Sequence, residues 1–110
     1  MQVWMNGRFC DLDEASIPVT DRGFLLGDGF FETMRAHEGK IAWLEAHMER
    51  LDYHAELIEF PLDLLPETEE VESVVATLFE QVHRKDAVVR LTVSRGTGDR
   101  GLLPPETPDP

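Results

Sequence analysis

The stretch Asp21-Arg22-Gly23-Phe24-Leu25-Leu26-Gly27-Asp28-Gly29, continuing through Phe30-Phe31-Glu32-Thr33 to His47-Met48-Glu49-Arg50-Leu51, decides how this chain is read. Glycines stand at 23, 27 and 29. Glycine accepts left-handed backbone and lets another group come close, so these positions either shape tight turns or admit a ligand. Gly-x-Gly alone is a weak phosphate signature, and no strand precedes it here as a dinucleotide site requires. Leu25 and Leu26 are read as packing inward, which would anchor the loop. From Phe30 to His37 a strand would set Phe30, Glu32, Met34 and Ala36 on one side and Phe31, Thr33, Arg35 and His37 on the other. Neither side is purely apolar. The strand therefore borders a wet cavity or lies at a sheet edge with solvated charges.

Glu38-Gly39-Lys40 turns the chain, and Ile41 to Trp43 return as a short strand or helix entry. The spacing predicts a helix from Trp43 to Glu59, because Leu44, Met48, Leu51, Ala55 and Ile58 fall on one stripe. Pro61 stops it. Arg50 lies off that stripe. Its helical neighbours Ala46, His47, Tyr53 and His54 include no carboxylate. On spacing alone Arg50 is either a solvated arginine lying over Tyr53 or a cation whose partner is elsewhere.

Outward from this stretch the pattern stays regular. Asn6-Gly7 between Val3–Met5 and Arg8–Cys10 signals a hairpin, since both residues accept positive φ. Asp11 to Ser16 is turn-like, and Pro18 pushes Ile17 toward extended geometry. A second helix is predicted over Glu69–Arg84, with Thr68 as N-cap and Glu69, Glu70 and Glu72 at the positive end of its dipole. Val71, Val74, Val75, Leu78, Phe79 and Val82 form its apolar face, and His83, Arg84 and Lys85 suit its negative end. Ala87 to Ser94 is a strand with Val89, Leu91 and Val93 on one side and Val88, Arg90, Thr92 and Ser94 on the other. The segment Ser94 to Gly101 then sets Arg95 and Arg100 among three glycines. It is an anion grip or an ordinary exposed loop. The tail 104–110, with four prolines, reads as an extended linker or a frayed terminus. The sum is an α+β fold, a mainly antiparallel sheet with two amphipathic helices on one face.

The chain has 110 residues, enough for one domain. Its net charge of -12 repels phosphate backbones and anionic lipid, so neither nucleic acid nor a membrane surface is an expected partner. Cys10 is the only cysteine, so there is no internal disulfide and no Cys/His metal cluster. A reduced, cytoplasmic setting is expected. The start MQVWMNGRFC lacks the features of a signal peptide, and no run reaches the length of a membrane span.

Taken together, D-R-G at Asp21-Arg22-Gly23, G-D-G at Gly27-Asp28-Gly29, the aromatic–Glu pair Phe31-Glu32 and H-x-x-R-L at His47–Leu51 resemble the class IV aminotransferase family. These are the pyridoxal-phosphate enzymes of fold type IV, among them branched-chain aminotransferases, D-amino-acid aminotransferases and aminodeoxychorismate lyases. The likeness runs from roughly Val3 to Pro105 and matches the family's smaller N-terminal domain. It implies a domain over 1–103, an interdomain linker over 104–110, and a larger catalytic domain beyond it. It also implies that Arg50 contacts the phosphate of pyridoxal phosphate, that Phe31 and Thr33 line the substrate pocket, and that Arg100 and Arg95 approach the substrate carboxylate.

The family's Schiff-base lysine lies past the linker. Lys40 and Lys85, the chain's two lysines, match it in neither position. The resemblance thus implies a chain without a catalytic residue or metal ligand of its own, inactive alone and binding cofactor weakly or not at all. Within the family, D-amino-acid aminotransferases carry Tyr in place of Phe31 and His in place of Leu102. Branched-chain enzymes read Glu-Gly where this chain reads Glu32-Thr33. The lyases carry a serine-arginine-glycine run ending G-G-R-G-Y, which Ser94 to Leu102 approaches except at Asp99 and Leu102. That likeness implies an aminodeoxychorismate lyase, which makes 4-aminobenzoate and pyruvate for folate synthesis. A branched-chain or D-amino-acid aminotransferase domain is the alternative, and a non-catalytic dimerisation domain is the reading of another class. The implied partners are a small-molecule substrate, a second copy in a homodimer, and the C-terminal domain.

Overall fold

A computed structural model describes residues 1–98 and 108–110. Strands β1 (Gln2–Met5) and β2 (Arg8–Asp11) form the hairpin expected at Asn6-Gly7. Both turn residues have positive φ, 51° and 84°, and Met5 pairs with Arg8 across them. A short helix α1 (Arg22–Leu26) follows, then β3 (Gly29–His37), β4 (Lys40–Ile41), α2 (Leu44–Leu57), α3 (Thr68–Phe79) and β5 (Asp86–Ser94). The last three strands make an antiparallel sheet in the order β4-β3-β5. β3 is therefore central and not an edge strand. It pairs with β5 along its whole length, from Gly29 opposite Ser94 to His37 opposite Asp86.

Both long helices cover one face of this sheet, which makes the fold α+β as expected. Met34 from β3, Leu51 from α2 and Val75 from α3 are the largest side chains wholly shut off from water. Ala36, Met48, Ala55, Val71 and Val93 complete the core around them. Phe60, just after α2, meets Phe30 edge to face with centroids 5.5 Å apart. The alternation of β3 and β5 is as the sequence predicts: Glu32, Met34 and Ala36 are buried, while Phe31, Thr33 and Arg35 face outward beside Val88, Arg90 and Thr92. No helix among the described residues is long and apolar enough to cross a membrane.

Four local expectations are corrected. Leu25 and Leu26 point outward, because they sit on α1, a helix outside the core that is held by polar bonds. The second helix ends at Phe79, not Arg84, and has no basic residue in its last turn. Turn bonds from Gln81 N–H to Leu78 O and Val82 N–H to Phe79 O unwind it, so that the chain can enter β5 opposite His37. Thr68 is its first helical residue, and Glu67 occupies the cap position without a side-chain cap bond. The first helix begins at Leu44, after an exposed Trp43 in the left-handed region at φ 59°.

Leu51 packs between sheet and helices with no surface exposed. Leu51→Ala should therefore cost about 2–5 kcal/mol, since the cavity adds to the lost transfer energy. Urea unfolding checks this, and an unchanged midpoint would contradict the core described here.

Candidate anion-binding site

Glu32 is an ionisable residue on the buried face of β3, 3% exposed. A carboxylate there must find a cation or hydrogen bonds. Arg50, beside the core stripe of α2, supplies both. Its Nε donates to Glu32 Oε1 at 2.6 Å and Oε2 at 3.1 Å, and its Nη2 donates to Oε2 at 2.8 Å. The side chain of Arg50 remains 57% exposed. The Arg50 hydrogen bond holds the Glu32 carboxyl below its ordinary range against the opposing effect of burial. The same carboxylate raises Arg50 above its ordinary value. His47, three residues before Arg50, brings Nδ1 to 3.7 Å from Glu32 Oε2. That is too long for a hydrogen bond, and this buried nitrogen has no hydrogen-bond partner among the described residues.

The paired motifs before β3 have a different job. Asp21 caps α1 by accepting from Phe24 N–H at 3.0 Å, and it accepts from the Ser94 hydroxyl at 2.6 Å. Ser94 Oγ in turn accepts from Gly23 N–H and Gly96 N–H. Asp28 receives Arg22 Nε at 2.8 Å and Arg95 Nε at 2.9 Å. Arg95 Nη2 also donates to Ile58 O at 2.6 Å, which ties the end of α2 to the end of β5. The open question about the glycines is answered by contact. A Cβ on Gly23 would lie 2.6 Å from Ser94 Oγ, and one on Gly29 would lie 2.4 Å from Val93 O. Gly27 ends α1 in the left-handed region at φ 68°. These glycines bring two chain segments together.

The other expected site residues scatter. Phe31 and Thr33 face outward, on the side of β3 opposite Glu32 and Arg50. Phe31 carries Arg90 over its ring at 3.9 Å, and Thr33 borders an open groove of 510 Å³ with Arg35, Arg84 and Val88. Arg95 does not sit on an exposed loop: it is 4% exposed, with Nε and Nη2 engaged by Asp28 and Ile58. Arg100 lies outside the described residues, as does the boundary at 103. The backbone of Asp109 pairs with Arg95 and Gly96, so the described end of the tail is held against the end of β5 and is not frayed there. Lys40 in β4 and Lys85 before β5 are exposed. No cluster of metal-ligating side chains occurs among the described residues. Sequence reasoning gave no separate role to Glu32 or His47, which the structure brings beside Arg50. A Glu among inward positions of a strand was itself the signal that a cation must come from a neighbouring element.

Comparison with known proteins places this geometry. Residues 29–110 match the model of the amino-transferase class IV family. A Methanocaldococcus jannaschii protein provisionally named branched-chain-amino-acid aminotransferase is 40% identical over 94% of this chain and 35% of its own length. The D-alanine aminotransferase of Staphylococcus haemolyticus is 34% identical over 90% of this chain and 34% of its own. Among solved structures, the 4-amino-4-deoxychorismate lyase of Pseudomonas aeruginosa superposes with a TM-score of 0.73 at 36% identity, over 86% of this chain and 33% of that one. A hypothetical aminotransferase of Mycobacterium tuberculosis in its PLP-bound form gives 0.73 at 27% identity, over 88% and 34%. The chain belongs to the class IV aminotransferase family and corresponds to the N-terminal region of its members. It spans about a third of the length of the curated relatives it matches.

Burial raises the Asp28 carboxyl, but the hydrogen bonds and charges of Arg22 and Arg95 together outweigh it, and the net shift is below the ordinary 3.8. A carboxyl lowered in the folded state stabilises above its unfolded pKa, and that stability is lost as pH falls through the folded value. Asp28→Asn should therefore be less stable near neutrality, yet lose less between about pH 5 and pH 2 than the native chain. Urea unfolding across that range checks it, and parallel pH profiles would contradict it.

Proposed function

We propose that this chain is the N-terminal domain of a pyridoxal-phosphate enzyme of the aminodeoxychorismate lyase type, in which Arg50 holds the cofactor phosphate. The observation that carries this is the state of the Arg50 guanidinium. It is always charged, locked on one side by a buried carboxylate, and open to solvent on the other. A guanidinium so held can meet a phosphate with two N–H groups at once.

The fit to the cofactor is one-sided. Arg50 suits the phosphate end. Lys40 and Lys85 are surface-exposed and match the family's lysine in neither position, so the lysine that holds the aldehyde is assigned to polypeptide beyond this domain. Bound pyridoxal phosphate supplies an electron sink for chemistry at a substrate amine. The residues of this chain bind and orient. Phe31 and Thr33 offer a wall on the outer face of β3, and their role requires groups contributed from outside the described residues. Arg100 is retained as a grip for the substrate carboxylate, whereas the buried bonds of Arg95 favour a positioning role. A homodimer acting on a small molecule completes the proposal.

The lyase reading is supported by the Ser94–Leu102 pattern and by the likeness to the Pseudomonas enzyme. The higher identity to the Methanocaldococcus protein favours a branched-chain aminotransferase as the second reading. Supplying a C-terminal catalytic domain in trans separates them. Pyruvate release from aminodeoxychorismate is the expected outcome, while amino transfer from branched-chain substrates would support the second reading. In the reconstituted enzyme Arg50→Ala should weaken cofactor binding by about tenfold or more, the scale of a lost charge-assisted fork. Borohydride treatment of the chain alone should leave Lys40 and Lys85 unlabelled. Turnover with specific labelling of either would overturn the assignment of the lysine.

A further inference from the structure

We infer that Glu32 is the positioning residue for the phosphate site, setting the plane of the Arg50 guanidinium so that its outer edge meets the anion; this rests on the phosphate role of Arg50 proposed above. A guanidinium carries five N–H groups in a fixed plane and has two two-pronged edges. Glu32 occupies the Nε/Nη2 side edge, at 2.6 Å and 2.8 Å. That leaves one proton each of Nη1 and Nη2, which form the end edge, and the second Nη1 proton on the Cδ side. Nη1 makes no hydrogen bond among the described residues, and the side chain is more than half exposed. The end edge thus has no hydrogen-bond partner among the described residues, on a side chain that is more than half exposed.

The carboxylate is well suited to act as a stop. It is 3% exposed, on the central strand of the sheet, and its hydrogen bonds among the described residues all come from Arg50. His47 Nδ1, at 3.7 Å, does not divert it. A long arginine side chain otherwise samples many rotamers, and freezing it onto an anion costs conformational entropy. A guanidinium already frozen by Glu32 avoids that cost at the moment of binding.

The inference makes a claim opposite in sign to simple electrostatics. A carboxylate beside an anion site repels the anion, so by Coulomb's law alone its neutralisation should strengthen binding. If Glu32 positions Arg50, its neutralisation should weaken binding instead. The test is a titration of the chain with inorganic phosphate, with binding read by NMR from the backbone amides of His47 to Leu51 in the native protein, in Glu32→Gln, in Glu32→Asp and in Arg50→Ala, and the Arg50 Nε–H cross-peak kept as the separate reporter of the Glu32 contact. The expected result is perturbation in the native chain, lost in Arg50→Ala, with binding about tenfold weaker in Glu32→Gln. Glu32→Asp keeps the charge but shortens the reach, and it should weaken binding as well.

Tighter binding in Glu32→Gln, or unchanged binding in Glu32→Asp, would overturn the positioning role and leave the phosphate role of Arg50 standing. No perturbation of the His47 to Leu51 amides in the native chain would overturn the phosphate role itself. If Glu32→Gln does not fold, the native titration decides. An Nε–H resonance that stays in place and stays protected at saturating phosphate supports the inference, because Glu32 still holds that edge. A shift with faster exchange means that phosphate has displaced Glu32, and overturns it.

Discussion

A buried carboxylate on the central strand constrains which helix face can cover it. Glu32 sits on the covered face of the central strand, where an unpaired charge would cost several kcal/mol. The helix that covers that face must therefore present a cation at this point. α2 does so with Arg50, the arginine at the end of His47-Met48-Glu49-Arg50. The register of α2 on β3 is thus set twice, by the packing of Met48, Leu51 and Ala55 and by the fork between Arg50 and Glu32. The exposed edge of that fork is a consequence of the same arrangement. One interaction joins folding to the candidate site.

A second polar lock holds the ends of the elements. Asp28 gathers Arg22 and Arg95, Arg95 reaches the last carbonyl region of α2 at Ile58, and Ser94 joins Asp21 to Gly23 and Gly96. The bonds run between segments far apart in sequence, so they fasten the start of β3 to the end of β5. A phosphate-binding side chain on a helix is only as well placed as the helix itself. The lock supplies that rigidity at the end of the sheet where the chain enters and leaves it.

The fold was legible where periodicity alone decides it. The hairpin at Asn6-Gly7, the alternation of β3 and β5 and the apolar stripes of both helices all follow from local pattern. Element ends were not, because they depend on what the chain must reach next, as where α3 unwinds at Phe79 to deliver Asp86 opposite His37. The H-x-x-R-L motif drew attention to Arg50, and no carboxylate stands at helical spacing from it on its own helix. Its true partner lay on another element, which helical spacing does not display. Arg95 was misplaced for a related reason: Arg among glycines looks like an open loop until Asp28, 67 positions earlier, is brought beside it.

The central claim is that Arg50 offers one edge to a phosphate while Glu32 keeps the other. A diffraction structure of the chain crystallised with phosphate tests it most directly. The account predicts phosphate oxygens about 2.8 Å from Nη1 and Nη2 of Arg50, with Nε still bonded to Glu32. A phosphate bound elsewhere with that edge left to water, or an Arg50 swung away from Glu32 to reach its anion, would contradict it.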